Sequence, residues 1–400
     1  MERRAMPWRP RSIAAAVSSV IAAAACAGDG TAPPLEDLAA RYGLEPLPPM
    51  VHPADNPPNT ARIELGRLLF FDPIQSAGKD VACATCHLPR FGMSDGRRLP
   101  AGPSGVGLGP DRVLTDPAMV PEARNSLTVI NAGLNRFVNQ VGADGYLFWD
   151  GRRRRLENLV TLPQREFSEM RGDGFPLEHA LDSVLARLRS IPEYVTLFEE
   201  AFPGRPRGAA IDSSTLARAL AQFVRSLIGD QSPYDRFVAG DRAALSPSQR
   251  RGLVLFHEKA GCVRCHAGPM FSDFNFHVVG AKQEGPGFQT TPHEDFGRWN
   301  ATQLETDRWK FRTPSLRNAA VTAPYTHAGA YPTLRDMVEF FNRGGGDHPA
   351  IPRSRLDPAL RPLGLTGEEI DDLVAFLEAL TDEPPVAIPE RLPSGLEPPR

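Results

Sequence analysis

The chain has 400 residues, 41% of them hydrophobic and 23% charged, which leaves room for two cored globular domains once a leader is removed. A formal charge of -3 gives no basis for a nucleic-acid partner, and none is expected. Forty prolines and 35 glycines point to many turns and long connections.

The first predicted element is an export signal over residues 1–30. Arg3, Arg4, Arg9 and Arg11 form a basic start, and Ile13 to Ala25 is an apolar, small-residue run too short to span a bilayer. Cys26 follows Ala23-Ala24-Ala25 as at a lipoprotein processing site, but the usual leucine three residues before the cysteine is absent. A lipid anchor on Cys26 and ordinary cleavage therefore both stay open. In either case the expected location is the periplasm.

Beyond the leader the predicted elements are helices. Glu64 to Phe71 is a helix with a Gly-x-x-x-Phe face, followed by Cys83-Ala-Thr-Cys86-His87. Gly105-Val-Gly-Leu-Gly109 is a flexible loop, since no strand–helix frame makes it a phosphate cradle. Arg152 to Arg155 is the one basic cluster, read as a solvated helix start or as a partner for acidic groups. Leu177 to Phe202 and Thr215 to Leu227 carry apolar residues at helical spacing. Ser246-Pro247 caps a second Gly-x-x-x-Phe helix over Arg251 to Phe256, followed by Cys262-Val-Arg-Cys265-His266. The last helix runs from about Thr366 to Leu380, with the capping box Thr366 to Glu369 and a stripe of Ile370, Leu373, Phe376, Leu377 and Leu380. No strand series is found. The fold class is mainly α, with two cytochrome c-like haem domains in one chain: residues 35–205, residues 206–384, then a Pro-rich tail over 385–400.

The haem reading comes from the cysteines. There are five, one in the leader and four in the two Cys-x-x-Cys-His units. Covalent haem attachment needs two thiols at this spacing for the porphyrin vinyl groups and an adjacent imidazole for the iron. A four-thiolate zinc site would leave both histidines incidental, and a thioredoxin-like pair would need only one motif beside a parallel sheet. Two covalent haem c groups account for every remaining cysteine and for both histidines. No disulfide is needed.

Around these motifs the chain resembles the bacterial di-haem cytochrome c peroxidase and MauG superfamily. The landmarks are Leu65-Gly-Arg-Leu-Leu-Phe-Phe-Asp-Pro73, Arg124-Asn-Ser-Leu-Thr128, Phe148-Trp-Asp-Gly-Arg152, Cys262 to Phe271, Thr313-Pro-Ser-Leu-Arg-Asn318, Thr322-Ala-Pro-Tyr325 and His327. The resemblance implies a peroxidatic haem on His87 and an electron-transfer haem on His266, with Trp149 relaying electrons between them. It implies Glu169, just before Met170, as the acid–base group, with Glu166 a weaker candidate. Leu159 replaces the family's glutamine. Taken alone, Trp149 would be core packing and Glu169 a solvated carboxylate.

Two departures bear on mechanism. Many peroxidases of the family carry a histidine that blocks the first haem, but no histidine occurs between His87 and His179, so an open first haem is expected. The distal ligand of the second haem, methionine or tyrosine in the family, falls on Phe341, and Met337 one turn earlier is either a substitute ligand or a packed core residue. The resemblance further implies one calcium ion on Asn125, Thr322 and Pro324, and allows a homodimer. His52, His179, His257, His277, His293 and His348 are expected at the surface or in packing roles. The implied function is reduction of hydrogen peroxide with electrons from a small periplasmic cytochrome c or cupredoxin. The alternatives are a MauG-like oxidase of tryptophan or tyrosine on a partner protein substrate, and a non-catalytic electron carrier.

Overall fold

Asn59 starts the first long helix by accepting the Arg62 amide on its side chain, and the helix then runs over Thr60–Phe71. In the computed structural model, which describes residues 35–135, 145–206, 208–283, 294–382, 384 and 386–400, this is α2, after α1 (Leu35–Tyr42). The leader, Cys26 and His293 lie outside the described residues. The remaining helices are α3 (Cys83–Cys86), α4 (Ala180–Arg189), α5 (Pro192–Ala201), α6 (Ser213–Ser226), α7 (Pro233–Val238), α8 (Pro247–His257), α9 (Trp299–Thr302), α10 (Leu334–Asn342) and α11 (Gly367–Glu378). Strands are confined to two-residue ribbons, β1 (Gly105–Val106) with β2 (Val113–Leu114) and β3 (Phe276–His277) with β4 (Phe311–Arg312), both antiparallel. Among the described residues no helix is long and apolar enough to cross a membrane. The mainly α, two-haem-domain class expected from the sequence is the class observed.

The same helix crossing is built twice. α2 packs on α6 in the first core, and α8 packs on α11 in the second. At each crossing a glycine lets the backbones touch: a Cβ on Gly66 would overlap the Ala219 carbonyl, and one on Gly252 the Asp372 carbonyl. One turn on, Phe70 meets Phe223 at 5.1 Å and Phe256 meets Phe376 at 5.3 Å between ring centroids. The glycines of the Gly-x-x-x-Phe faces thus serve helix–helix contact, while Phe256 also lines the cavity at the second motif. The capping boxes at Ser246 and Thr366 form as read, through Gln249 and Glu369.

The two crossings differ in their locks. Arg225 is fully buried and forks onto Glu157 at 2.6 and 2.8 Å in the first core, whereas half-buried Arg251 forks onto Asp372 at 2.7 and 2.8 Å in the second. α6, assigned by the sequence reading to residues 206–384, packs in the first core. The chain also crosses over at its ends. Leu38 is buried in the second core and Tyr42 stacks on His257 at 4.3 Å. Leu392 is buried in the first core, where the Ser394 hydroxyl donates to Asp72 at 2.8 Å and Arg391 pairs with Glu193 at 2.7 Å. All of this lies within one compact unit.

Candidate haem sites and the residues between them

α3 carries the first motif. Its turn is set when the Ala82 amide donates to the Thr85 hydroxyl at 3.0 Å and the His87 amide to the Cys83 carbonyl at 3.0 Å. Gly261, at φ 63°, opens the second motif, where the His266 amide donates to the Cys262 carbonyl at 2.9 Å. In each site one imidazole nitrogen is taken by a backbone carbonyl: His87 Nδ1 lies 3.0 Å from Met93 O, and His266 Nδ1 lies 2.9 Å from Phe271 O. That bond fixes the ring and leaves Nε2 as the free, lone-pair nitrogen an iron would take. Burial holds both imidazoles below the usual histidine range, so they stand neutral, as ligands must.

The rival chemistries do not fit these cysteines. All four are free of disulfides, and burial pushes the Cys83 and Cys262 thiols up to about 12. A redox dithiol needs the opposite shift. The two pairs also belong to different cores, which breaks up a four-thiolate zinc site. Cys265 does share a corner with Asp273 and His277. His277, however, is clamped between carboxylates, Nε2 at 3.0 Å from Asp273 and Nδ1 at 2.7 Å from Asp357. The Asp273 bond, then the Cys265 sulfur and the Asp357 bond, hold it up at about 11, a cation rather than a metal ligand.

A planar macrocycle fits instead. The cavity at Cys262, Cys265 and His266 has apolar walls of Phe256, Leu316, Leu334, Val338, Leu363 and Leu373, with Met337 and Phe341 also lining it. Arg312 lines it too, almost wholly buried, with its Nε donating to the Phe148 carbonyl at 2.9 Å and its Nη1 to the Thr313 carbonyl at 3.4 Å. Burial lowers this guanidinium to about 10, against the pull of Asp150, and a haem carboxylate would supply the missing counter-charge.

Trp149 sits at the junction. Its indole N–H donates to the Asn125 carbonyl at 2.9 Å, its own carbonyl accepts from the Arg312 amide at 2.7 Å, and its ring lines the second cavity. One residue on from Asn125, the Ser126 hydroxyl donates to the Cys86 carbonyl at 2.7 Å, linking the same segment to the first motif. A buried ionic knot holds that segment: Arg124 forks onto Asp295 at 2.6 and 2.9 Å and reaches Asp150 at 2.7 Å. Asp150 in turn receives the Arg152 guanidinium at 3.2 Å, while Arg154 binds Tyr146 and Arg155 binds Asp55. The basic cluster is therefore largely spoken for within the chain.

Glu169 lies half-buried in the π-helical turn Phe167–Arg171, within electrostatic reach of Cys83 and Cys86, while Glu166 is exposed. Gly102 presses on the carbonyls of Ser168 and Glu169, and the Ala77 amide donates to the Met170 carbonyl at 3.0 Å, so the turn is held from both sides. Burial pushes the Glu169 carboxyl well above the usual range, and Glu122 pushes it further. Sequence reading missed Glu122, which lies 47 positions before Glu169 and is joined to its neighbour Ser168 by a hydrogen bond. It also missed Asp95, buried near Cys86 and pushed up by burial to about 6, and the His277 clamp.

Asn125, Thr322 and Pro324 lie on one wall of the second cavity, and the Asn125 amide group donates to the Arg97 carbonyl at 2.8 Å, leaving Oδ1 as its remaining donor for a cation. His327 is buried, stacked on Phe311 at 3.8 Å, and held down to about 4 by burial.

Comparison with known proteins follows the same lines. The sequence profile of the di-haem cytochrome c peroxidase family matches residues 60–243. The cytochrome-c peroxidase IdrP1 of Denitromonas iodatirespirans is 36% identical, over 96% of this chain and 97% of its own. The methylamine utilization protein MauG of Methylorubrum extorquens is 33% identical, over 94% of each. Among solved structures, a MauG-like protein associated with microbial copper homeostasis superposes with a TM-score of 0.71 at 27% identity, covering 86% of this chain and 96% of that one.

Proposed function

From the premise that this chain belongs to the di-haem cytochrome c peroxidase family of oxidoreductases, we propose that it reduces hydrogen peroxide to water in the periplasm. Haem c is the family's cofactor. Cys83, Cys86 and His87 would hold one haem and Cys262, Cys265 and His266 the other, and when bound they supply the redox-active iron.

The observation that carries the reading is Glu169 in its fixed π-helical turn, within electrostatic reach of Cys83, with its carboxyl pushed well above the usual range by burial and by Glu122. Reducing the peroxide bond requires a proton on the departing oxygen, and a carboxyl whose affinity for the proton is raised can deliver it. Trp149 lines the second cavity with its ring, is pinned at its N–H and at its carbonyl, and would relay electrons to the first site through the Asn125–Ser126 segment that reaches Cys86. The Arg124 knot keeps that ring in register. Electrons would arrive from a small cytochrome c or cupredoxin. Met337 is proposed as the side chain nearest to serving as a distal ligand at the second site, and Asn125, Thr322 and Pro324 as donors to one calcium ion. Lipidation at Cys26 would tether the enzyme to the membrane.

Steady-state consumption of peroxide by the haem-loaded protein with reduced cytochrome c tests the reading. Turnover lost in Glu169→Gln supports it, and unchanged turnover removes Glu169 as the acid. The likeness to MauG proteins at 33% identity favours one second reading, oxidation of tryptophan or tyrosine side chains on a partner protein. Peroxide-dependent covalent change in a co-expressed partner, without turnover of cytochrome c, would establish that reading instead.

A further inference from the structure

The carboxyl of Glu122 has no place in the mechanism above, yet Ser168 ties it to the turn that carries Glu169. Its residue is fixed when the Glu122 amide donates to the Pro100 carbonyl at 2.8 Å. The loop that follows Pro100 reaches Gly102, which packs on the carbonyls of Ser168 and Glu169. The Ser168 hydroxyl donates to the Glu122 carboxylate. One strut of backbone and one hydroxyl thus bring two carboxyls within electrostatic reach of each other and of Cys86. We propose that Glu122 is a positioning residue of the peroxide site, paired with Glu169 through Ser168 so that the two carboxyls hold one proton between them.

The division of labour follows from the contacts. Burial raises both carboxyls. At Glu122 the Ser168 hydroxyl opposes that rise by donating to the ionised form, whereas among the described residues no hydrogen bond to the Glu169 carboxyl favours its charge. Two carboxylates in one partly dry pocket cannot both ionise cheaply. Glu122 therefore carries the negative charge and Glu169 the proton. Of the other charged groups facing the pair, Arg152 favours ionisation of both and Glu166 opposes it. Across the pocket, Asp95 and Arg112 face Cys86. A thioether at Cys83 or Cys86 carries no charge of its own.

The inference rests on the peroxidase reading, and its test separates the two. Fluoride binds ferric haem together with a proton held nearby, so its affinity falls about tenfold per pH unit above the midpoint of that proton's site. In the haem-loaded protein this midpoint, followed by the visible absorption change, should lie well above the ordinary carboxyl range. Glu122→Gln keeps the acceptor for Ser168 but removes the charge, and should lower the midpoint by one pH unit or more. Ser168→Ala lets Glu122 take a proton more readily, and should move the midpoint the same way by less. Should Glu122→Gln not load two haems, Ser168→Ala carries the test alone. A midpoint unmoved in these variants, but abolished in Glu169→Gln, overturns the pairing and leaves the peroxidase reading standing. A midpoint that survives Glu169→Gln removes Glu169 as the acid, and the pairing with it.

Discussion

Around His87 the attachment cysteines meet the carboxyls of Glu169 and Asp95 together with buried Arg112; around His266 the walls are mainly aliphatic and aromatic, with the buried guanidiniums of Arg312 and Arg317 and the His277–Asp357 pair. The scaffold beneath is the same, a glycine-mediated crossing with paired phenylalanines and an imidazole pinned through Nδ1. A duplicated frame has been furnished twice. Raised carboxyls suit a site of bond cleavage, while a largely apolar cavity with fixed cations suits a site where only electrons come and go.

The largest effect that would break this contrast is chemical. Glu169→Gln should slow the peroxide-dependent absorbance change about 10²- to 10⁴-fold in stopped flow, while the protein still loads two haems. An equal loss from a substitution at Met337 would mean that the two sites share the chemistry. Next comes stability. Glu157→Gln strands the buried Arg225 cation and should cost roughly 3–5 kcal/mol in denaturant unfolding, whereas Asp372→Asn, beside the half-exposed Arg251, should cost about 1–2 kcal/mol.

The first of these pairs is also visible in pH. Burial works to raise the Glu157 carboxyl, but the Arg225 fork outweighs it and holds the group at about 2, below its ordinary 4.5. Its contribution to stability is therefore complete above about pH 4.5 and lost as the pH falls toward 2. Acid unfolding curves of wild type and Glu157→Gln should converge over that window. Smaller again are the crossings. Gly66→Ala and Gly252→Ala should each cost roughly 1–3 kcal/mol in thermal unfolding, and similar values would support a shared frame. The smallest effect is electronic. Arg312→Gln should lower the potential of the second haem by about 30–60 mV in a redox titration and leave the first unmoved.

What could be read along the chain was local. The two Cys-x-x-Cys-His units, the Ser246 and Thr366 capping boxes and the helical stripes depend on residues a turn or two apart, and those neighbours meet whatever the rest of the fold does. Gly66 and Gly252 were noticed only as part of a Gly-x-x-x-Phe face, since only the crossing shows that a carbonyl stands where a Cβ would go. Glu122 left no local trace, because a glutamate in a loop resembles any solvated carboxylate until Ser168 is folded against it. His277 was read as a packing residue for the same reason: Asp273 lies within reach along the chain, but Asp357 arrives from 80 positions away.

The crossed ends have a consequence for biogenesis. Leu65 and the first motif leave the ribosome long before Leu392, which closes the same apolar nest, while Leu38 waits for partners in the second one. Neither lobe can be completed alone, so cutting the gene between them would yield two halves, each missing a piece carried by the other. Maturation is tied to the whole polypeptide, and a half-made enzyme is a poor candidate for releasing a loaded, peroxide-reactive fragment.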